Sequence, residues 1–164
     1  MKLLEIISAK ILSSEELKRH VAIWRFLNQT TVFTNGVFDL VHRGHVEYLA
    51  QAKDLGNILI LGLNTDNSVR RIKGNGRPVM DEQSRALVLA SLHFVDAVTL
   101  FDEDTPYELI RLVQPDVLVK GGDYTEDTIV GADIVKARGG KVVTIDLVPG
   151  FSTTGIIRKL AGQK

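Results

Sequence analysis

The sequence predicts an α/β domain: a Rossmann-like, doubly wound parallel sheet of five strands with helices on both faces. Three observations lead there. Short apolar runs such as "TVFT" (31–34) and "ILILGL" (58–63) recur along the chain, too continuous for strands with one wet face. Between them lie segments with apolar residues at helical spacing, opened by capping residues and closed by glycine or proline. Polar, glycine-bearing stretches follow the strands, where a sheet wound in both directions keeps its binding crevice.

Each element has a local reason. Ser13 and Glu16 form a capping box ahead of Leu17, Val21, Trp24 and Leu27, so residues 1–30 read as a helical N-terminal extension. Strand one is 31–34. A helix over 45–55 places Val46, Leu49 and Ala50 on one face and stops at Gly56. Strand two is 58–63, followed in 64–79 by a short helix and a polar loop. Asp81 opens a helix to about Leu92, and 95–101 is strand three. Thr105-Pro106-Tyr107-Glu108 combines a cap, a proline at the first helical position and a box glutamate, and Pro115 ends that helix. Strand four is 116–120. A helix near 129–138, a Gly139-Gly140 turn, strand five at 141–147 and a helix from about Ser152 complete the chain.

With 164 residues and no linker, repeat or low-complexity segment, the chain is expected to be one domain over 1–164. Twenty basic and twenty acidic residues cancel, so no global field draws it to nucleic acid or to a membrane surface. No cysteine is present, which excludes a disulfide framework and thiolate metal sites. Glu5 and Lys10 interrupt the apolar start, and "ILILGL" is far too short to cross a bilayer. The expected setting is cytoplasmic.

The chemistry concentrates at strand ends: 35–45, 64–66, 120–124 and 152–154. His42-Arg43-Gly44-His45 lies where the first strand hands over to a helix. Free backbone N–H groups and the positive end of the helix dipole make such a junction an anion site. Gly44 lets a phosphate approach the backbone, and His42 and His45 add side-chain donors. A capped turn with two surface histidines is the plainer alternative. A zinc pair is another, but only Asp39 offers a nearby third ligand, and no metal site is expected. Lys73 sits in "IKGNGRP", a loop flexible enough to close over a phosphate, and Arg85 opens the next helix.

Three stretches carry a resemblance. "TNGVFDLVHRGHVEYL" resembles the H-x-G-H motif of the cytidylyltransferase-like nucleotidyltransferases, "RRIKGNGRPV" their basic loop after strand two, and "FSTTGIIRK" their C-terminal S-T-T-x-x-x-R signature. With "LVKGGDY", the set looks most like the adenylyltransferase branch of ADP-heptose synthesis. Val37 departs from that branch, which commonly has cysteine there.

The resemblance implies AMP transfer from ATP to a heptose 1-phosphate with release of pyrophosphate, giving ADP-heptose for lipopolysaccharide core, with Mg²⁺ accompanying ATP. It implies His42, His45 and Lys73 as catalytic groups. Thr34, Asn35, Gly36, Phe38, Asp39, Gly44, Lys120, Gly121, Asp123, Ser152, Thr153, Thr154 and Arg158 are implied to bind nucleotide. Asn64, Asp66, Arg77 and Arg85 are candidate contacts for the acceptor substrate. A homodimer is expected by analogy. Because the chain begins with Met1 and has no room for a kinase, a separate sugar kinase is expected to supply the acceptor. Two alternatives remain: CTP-dependent transfer to glycerol 3-phosphate or an aminoalcohol phosphate, and a non-catalytic nucleotide-binding module.

Overall fold

The computed structural model describes residues 2–122, 124–125, 128–146 and 148–162. Five strands, β1 (Thr31–Gly36), β2 (Ile58–Asn64), β3 (Ala97–Phe101), β4 (Val117–Gly121) and β5 (Lys141–Ile145), form one sheet in the order β3-β2-β1-β4-β5. Every pairing is parallel. The expected doubly wound topology is therefore present. The winding reverses between β1 and β4, which places a crevice beyond their carboxyl ends.

Strand alternation separates two cores. Val32, Leu59, Leu61, Leu63 and Val119 face one side, where α3 (Arg43–Lys53) and α5 (Glu82–Ser91) bury Leu49, Ala52, Ala86 and Leu89. Phe33, Ile60, Leu118 and Val142 face the other side. There they meet Leu17 and Val21 of α2 (Ser14–Phe26), Ile110 and Val113 of α6 (Tyr107–Val113) and Val135 of α7 (Ala132–Ala137). Burial on both faces explains why the strands carry no polar alternation.

The N-terminal segment is built into the sheet layer. After α1 (Leu3–Ser8), Leu12 N–H donates to the Val98 carbonyl and Val98 N–H to the Lys10 carbonyl, each at 2.8 Å. This contact covers the β3 edge, which would otherwise offer unpaired backbone groups. The α2 box is as expected, with Glu16 N–H donating to Ser13 Oγ and Ser13 N–H to Glu16 Oε2.

Three local expectations need correction. Lys73 is the last residue of α4 (Asp66–Lys73), and the loop starts at Gly74, whose φ of +88° ends the helix. Pro106 is the residue before α6 and not its first helical residue; it supplies no side-chain cap because its ring holds no acceptor. Strand five ends at Ile145, and the preceding helix begins at Ala132. Among the described residues, no helix is long and apolar enough to cross a membrane.

Candidate active site

Two adjoining cavities occupy the crevice. The first, about 350 Å³, is lined by His42, Gly44, Tyr48, Lys120, Gly121, Phe151 and Ser152. The second, about 530 Å³, is lined by Asp39, Asn64, Lys73, Arg77, Asp104 and Thr154. Asn35, Gly36, Phe38, His45, Tyr124 and Thr153 border both. Residues from five separated segments thus meet where β1 and β4 end.

His42 is the residue before α3, and His45 lies in the helix's first turn. Their rings stack with centroids 3.9 Å apart and planes 23° from parallel. The His42 backbone N–H donates a long hydrogen bond to His45 Nδ1 at 3.4 Å. Burial lowers the pKa of His42. Burial, and then the neighbouring His42, push His45 down to about 4 against an opposing contact with the Leu40 carbonyl. At neutral pH both rings are uncharged, and each still carries one N–H. Gly44 sits in a tight place: a β-carbon there would lie 3.1 Å from His42 Nδ1 and 3.1 Å from Phe151 Cβ.

Lys120, at the end of β4, reaches across the switch point and donates to Asn35 Oδ1 at the end of β1. Burial pushes its ammonium down to about 8. Phe38 takes φ +45° and is almost fully enclosed, a strained turn held in place by packing against Gly36 and His45.

Several candidates turn out to brace the site. Asp39 is buried and accepts from Arg77 Nε at 2.7 Å, Val79 N–H at 2.8 Å and Met80 N–H at 3.0 Å. Burial raises its pKa, but the Met80, Val79 and Arg77 bonds together hold the carboxyl below its usual range. Asp39 therefore anchors the 77–80 loop beside the second cavity.

Arg85 lies beneath the site's surface. It is wholly buried, donating to the Met80 carbonyl at 3.0 Å, the Val37 carbonyl at 2.7 Å and Asp66 Oδ1 at 2.6 Å. Neither Arg85 nor Asp66 lines either of these two cavities; the two side chains pair with each other. Thr34 is likewise buried, with Oγ1 2.7 Å from the Tyr48 hydroxyl. Asn64 lines the second cavity while its Nδ2 donates to Ser68 Oγ at 2.9 Å.

At the opposite wall, Ser152 precedes α8 (Thr153–Leu160) and its Oγ accepts from Gly155 N–H at 3.0 Å. The serine is used as a cap, leaving Thr153 to face both cavities. Arg158 lies in the last turn of α8, exposed and outside the lining of either cavity. Asp123 lies outside the described residues.

Sequence reasoning missed Tyr124, Asp104 and Phe151. Tyr124 borders both cavities, Asp104 the second and Phe151 the first. The available signal was an aromatic residue directly beside each of two recognised motifs, "KGGDY" and "FSTT". Asp104 had none, because only the packing of the 102–106 loop brings it to the crevice.

A helix start with free N–H groups, two uncharged histidines and cations on facing walls meet in one crevice. The chain belongs to the cytidylyltransferase-like family, whose model matches residues 33–159. It is 57% identical over 152 residues to a bifunctional protein HldE of Methylobacillus flagellatus, an alignment covering 93% of this chain and 31% of that one. With the bifunctional protein HldE of Syntrophotalea carbinolica, identity is 54% over 152 residues, again 93% of this chain and 31% of the relative. The chain thus spans about a third of the length of these curated relatives.

Among solved structures, it resembles a lipopolysaccharide core biosynthesis protein of Thermoplasma volcanium with TM-score 0.58 and 29% identity, over 73% of this chain and 97% of that one. A pantoate-beta-alanine ligase of Francisella tularensis shares the fold at TM-score 0.60 and 15% identity, covering 94% of this chain and 79% of the ligase.

Proposed function

We propose that the protein transfers AMP from ATP to a heptose 1-phosphate, releasing pyrophosphate and forming ADP-heptose for lipopolysaccharide core. The observation that carries this reading is the pair of cavities meeting at His45 and Thr153. One has aromatic and glycine walls suited to a nucleoside; the other has Lys73 and Arg77 for a phosphate and Asp104 for hydroxyl groups. The resemblance of "FTNGVFDLVH", "KGNGRPV" and "LVKGGDY" to the heptose branch, and the HldE relatives, support the choice of acceptor.

The chemistry follows from the reactants. An oxygen of the sugar phosphate attacks the α-phosphorus of ATP, and the bond to the bridging oxygen of the pyrophosphate breaks. That oxygen nucleophile is already ionised near neutral pH, so the protein needs no activated serine and no strong base. Its task is alignment and neutralisation of charge.

Neutral His42 and His45 donate to the α-phosphate and the departing oxygen, beside the N–H groups that open α3. Thr153 and the start of α8 take the outer phosphates, with Arg158 recruited only if α8 moves. Lys120 and Gly121 border the nucleoside, with Asp123 expected at the ribose or base. Lys73 closes from the end of α4, and Arg77, tethered to Asp39, orients the acceptor.

Magnesium belongs to this reading as the ion carried on the triphosphate. Among the described residues, no group of three or more His, Asp or Glu side chains is placed to hold an ion. A sugar kinase acting upstream, a homodimer and a cytoplasmic setting complete the proposal.

The test is a matrix of ATP and CTP against heptose 1-phosphate, glycerol 3-phosphate and aminoalcohol phosphates, read by pyrophosphate release. ATP with heptose 1-phosphate should give the highest kcat/KM. Preference for CTP with a smaller phosphate would refute the assignment, and no release with any pair would make the chain a binding module.

A further inference from the structure

Four rings form a continuous row through the site. Phe151 lies 6.3 Å from His42 with planes 29° apart. His42 stacks on His45 at 3.9 Å. His45 meets Phe38 edge-on at 5.3 Å and 66°. The two histidines are thus held between phenylalanines, one on each side.

Phe38 is nearly enclosed, whereas Phe151 is 40% exposed and stands directly before the Ser152 cap of α8. The Arg43 guanidinium lies over its ring, 5.5 Å from the centroid, in cation–π range. Position 44 has no side chain to stand between Phe151 and the pair: an added β-carbon would meet Phe151 Cβ and His42 Nδ1 at 3.1 Å each, tight enough that both would have to give.

We propose that Phe151 is a positioning residue: its ring closes the open side of the histidine stack and joins the pair to the segment that presents Thr153. Among the described residues the buried His42 Nδ1 atom has no hydrogen-bond partner, and the polar restraint on the ring is limited to its place in the capping box with His45. Stacking and wedging do that work from both ends. Loss of Phe151 would let water reach His42 and let the stack swing, so the histidine donors would meet the α-phosphate less often in the productive orientation.

Other charged groups facing the pair come from separate elements. Lys120 of β4 shares the first cavity; Lys73, Arg77, Asp39 and Asp104 line the second, which His45 borders. None of these depends on Phe151 for its hydrogen bonds, so their influence on the histidines is retained when the ring is removed.

The proposal rests on the adenylyl-transfer reading for its kinetic readout, and on histidine titration for one that does not need the reaction. Phe151→Ala, Phe151→Tyr and wild type are compared by steady-state kinetics and by NMR titration of the four histidines, with His20 and His93 as internal controls. In Phe151→Ala the titration midpoints of His42 and His45 should rise toward the ordinary value while those of His20 and His93 stay put. The same variant should lower kcat about tenfold, the size of a partly misoriented donor, with the ATP KM changing less than about threefold. Phe151→Tyr, which keeps the ring, should restore both.

Unchanged His42 and His45 midpoints in a folded Phe151→Ala protein would overturn the proposal. So would a variant that raises the ATP KM strongly at unchanged kcat, since Phe151 would then be a binding surface. If wild type releases no pyrophosphate, the adenylyl-transfer reading fails, while the midpoints still decide the positioning claim.

Discussion

Replacing Arg85 with methionine separates a brace from a substrate contact. The guanidinium is fully buried and donates to two carbonyls, those of Met80 and Val37, and to Asp66 Oδ1. Removing one partner of a buried ion pair costs roughly 3–5 kcal/mol because the other charge is left uncompensated. Asp66 is 23% exposed and regains some water, which lowers that figure. The two carbonyls lose charged donors, at about 1.5–3 kcal/mol each before relaxation. With methionine filling part of the volume, a net loss of about 3–4 kcal/mol is expected, or on the order of 10 °C in Tm for a domain of this size.

Urea unfolding measures that loss, and Asp66→Asn in a double-mutant cycle should show a coupling of about 1–3 kcal/mol. Arg85→Lys should recover little, since an ammonium cannot span three acceptors spread around a planar fork. A stable Arg85→Met protein, within about 1 kcal/mol of wild type, that only raises the KM of the phosphorylated acceptor would refute the reasoning. Arg85 would then be a ligand contact after all.

Other expectations follow from the same geometry. His42→Ala and His45→Ala should each lower kcat by roughly a hundredfold or more with little change in Tm, as loss of a preorganised donor does; normal turnover in both would remove the histidines from the mechanism. Lys73→Ala should reduce kcat on the order of a hundredfold while ATP affinity by calorimetry changes far less, because an exposed lysine at a helix end gains most as charge develops. Weak ATP binding with normal saturated turnover would be the opposite result.

Lys120 ties pH to stability. Its folded-state pKa of about 8 lies below the ordinary 10.5, so between those values the unfolded chain binds more protons and wild-type stability should rise with pH. Lys120→Met should abolish that rise and be more stable at pH 7 by about 1–2 kcal/mol, after allowing for the lost Asn35 bond, yet lose activity. Parallel pH–stability curves for the two proteins would contradict it.

The legible parts of the molecule were those governed by neighbours in the chain. Apolar runs marked the strands because burial on both sheet faces leaves no polar alternation. Ser13, Asp81 and Ser152 marked helix starts because a short oxygen accepts from N–H groups two or three residues on. His42 and His45 were visible as a pair because they flank the strand-to-helix junction three residues apart. Pro106 was misplaced by one position, and Lys73 was assigned to a loop. Helix ends depend on packing as much as on propensity.

The cations show where local reasoning stops. Arg77, Lys73 and Arg85 lie within thirteen positions of one another and look alike as charged residues in a polar stretch. Only the folded chain distinguishes Arg85, sealed against Asp66, from Arg77, tethered to Asp39, and from Lys73, left exposed. Lys120 and Asn35 are 85 positions apart and meet because β4 lies beside β1.

The sequence by itself determined the α/β alternation, the caps and the strand-to-helix junction at His42–His45, since each acts over a few residues. Tertiary structure alone decided which charges reach the crevice, which brace its walls, and that Phe151 seats against the histidines. Those outcomes depend on strand order and burial, and desolvation makes a buried charge choose a partner that chain distance cannot identify.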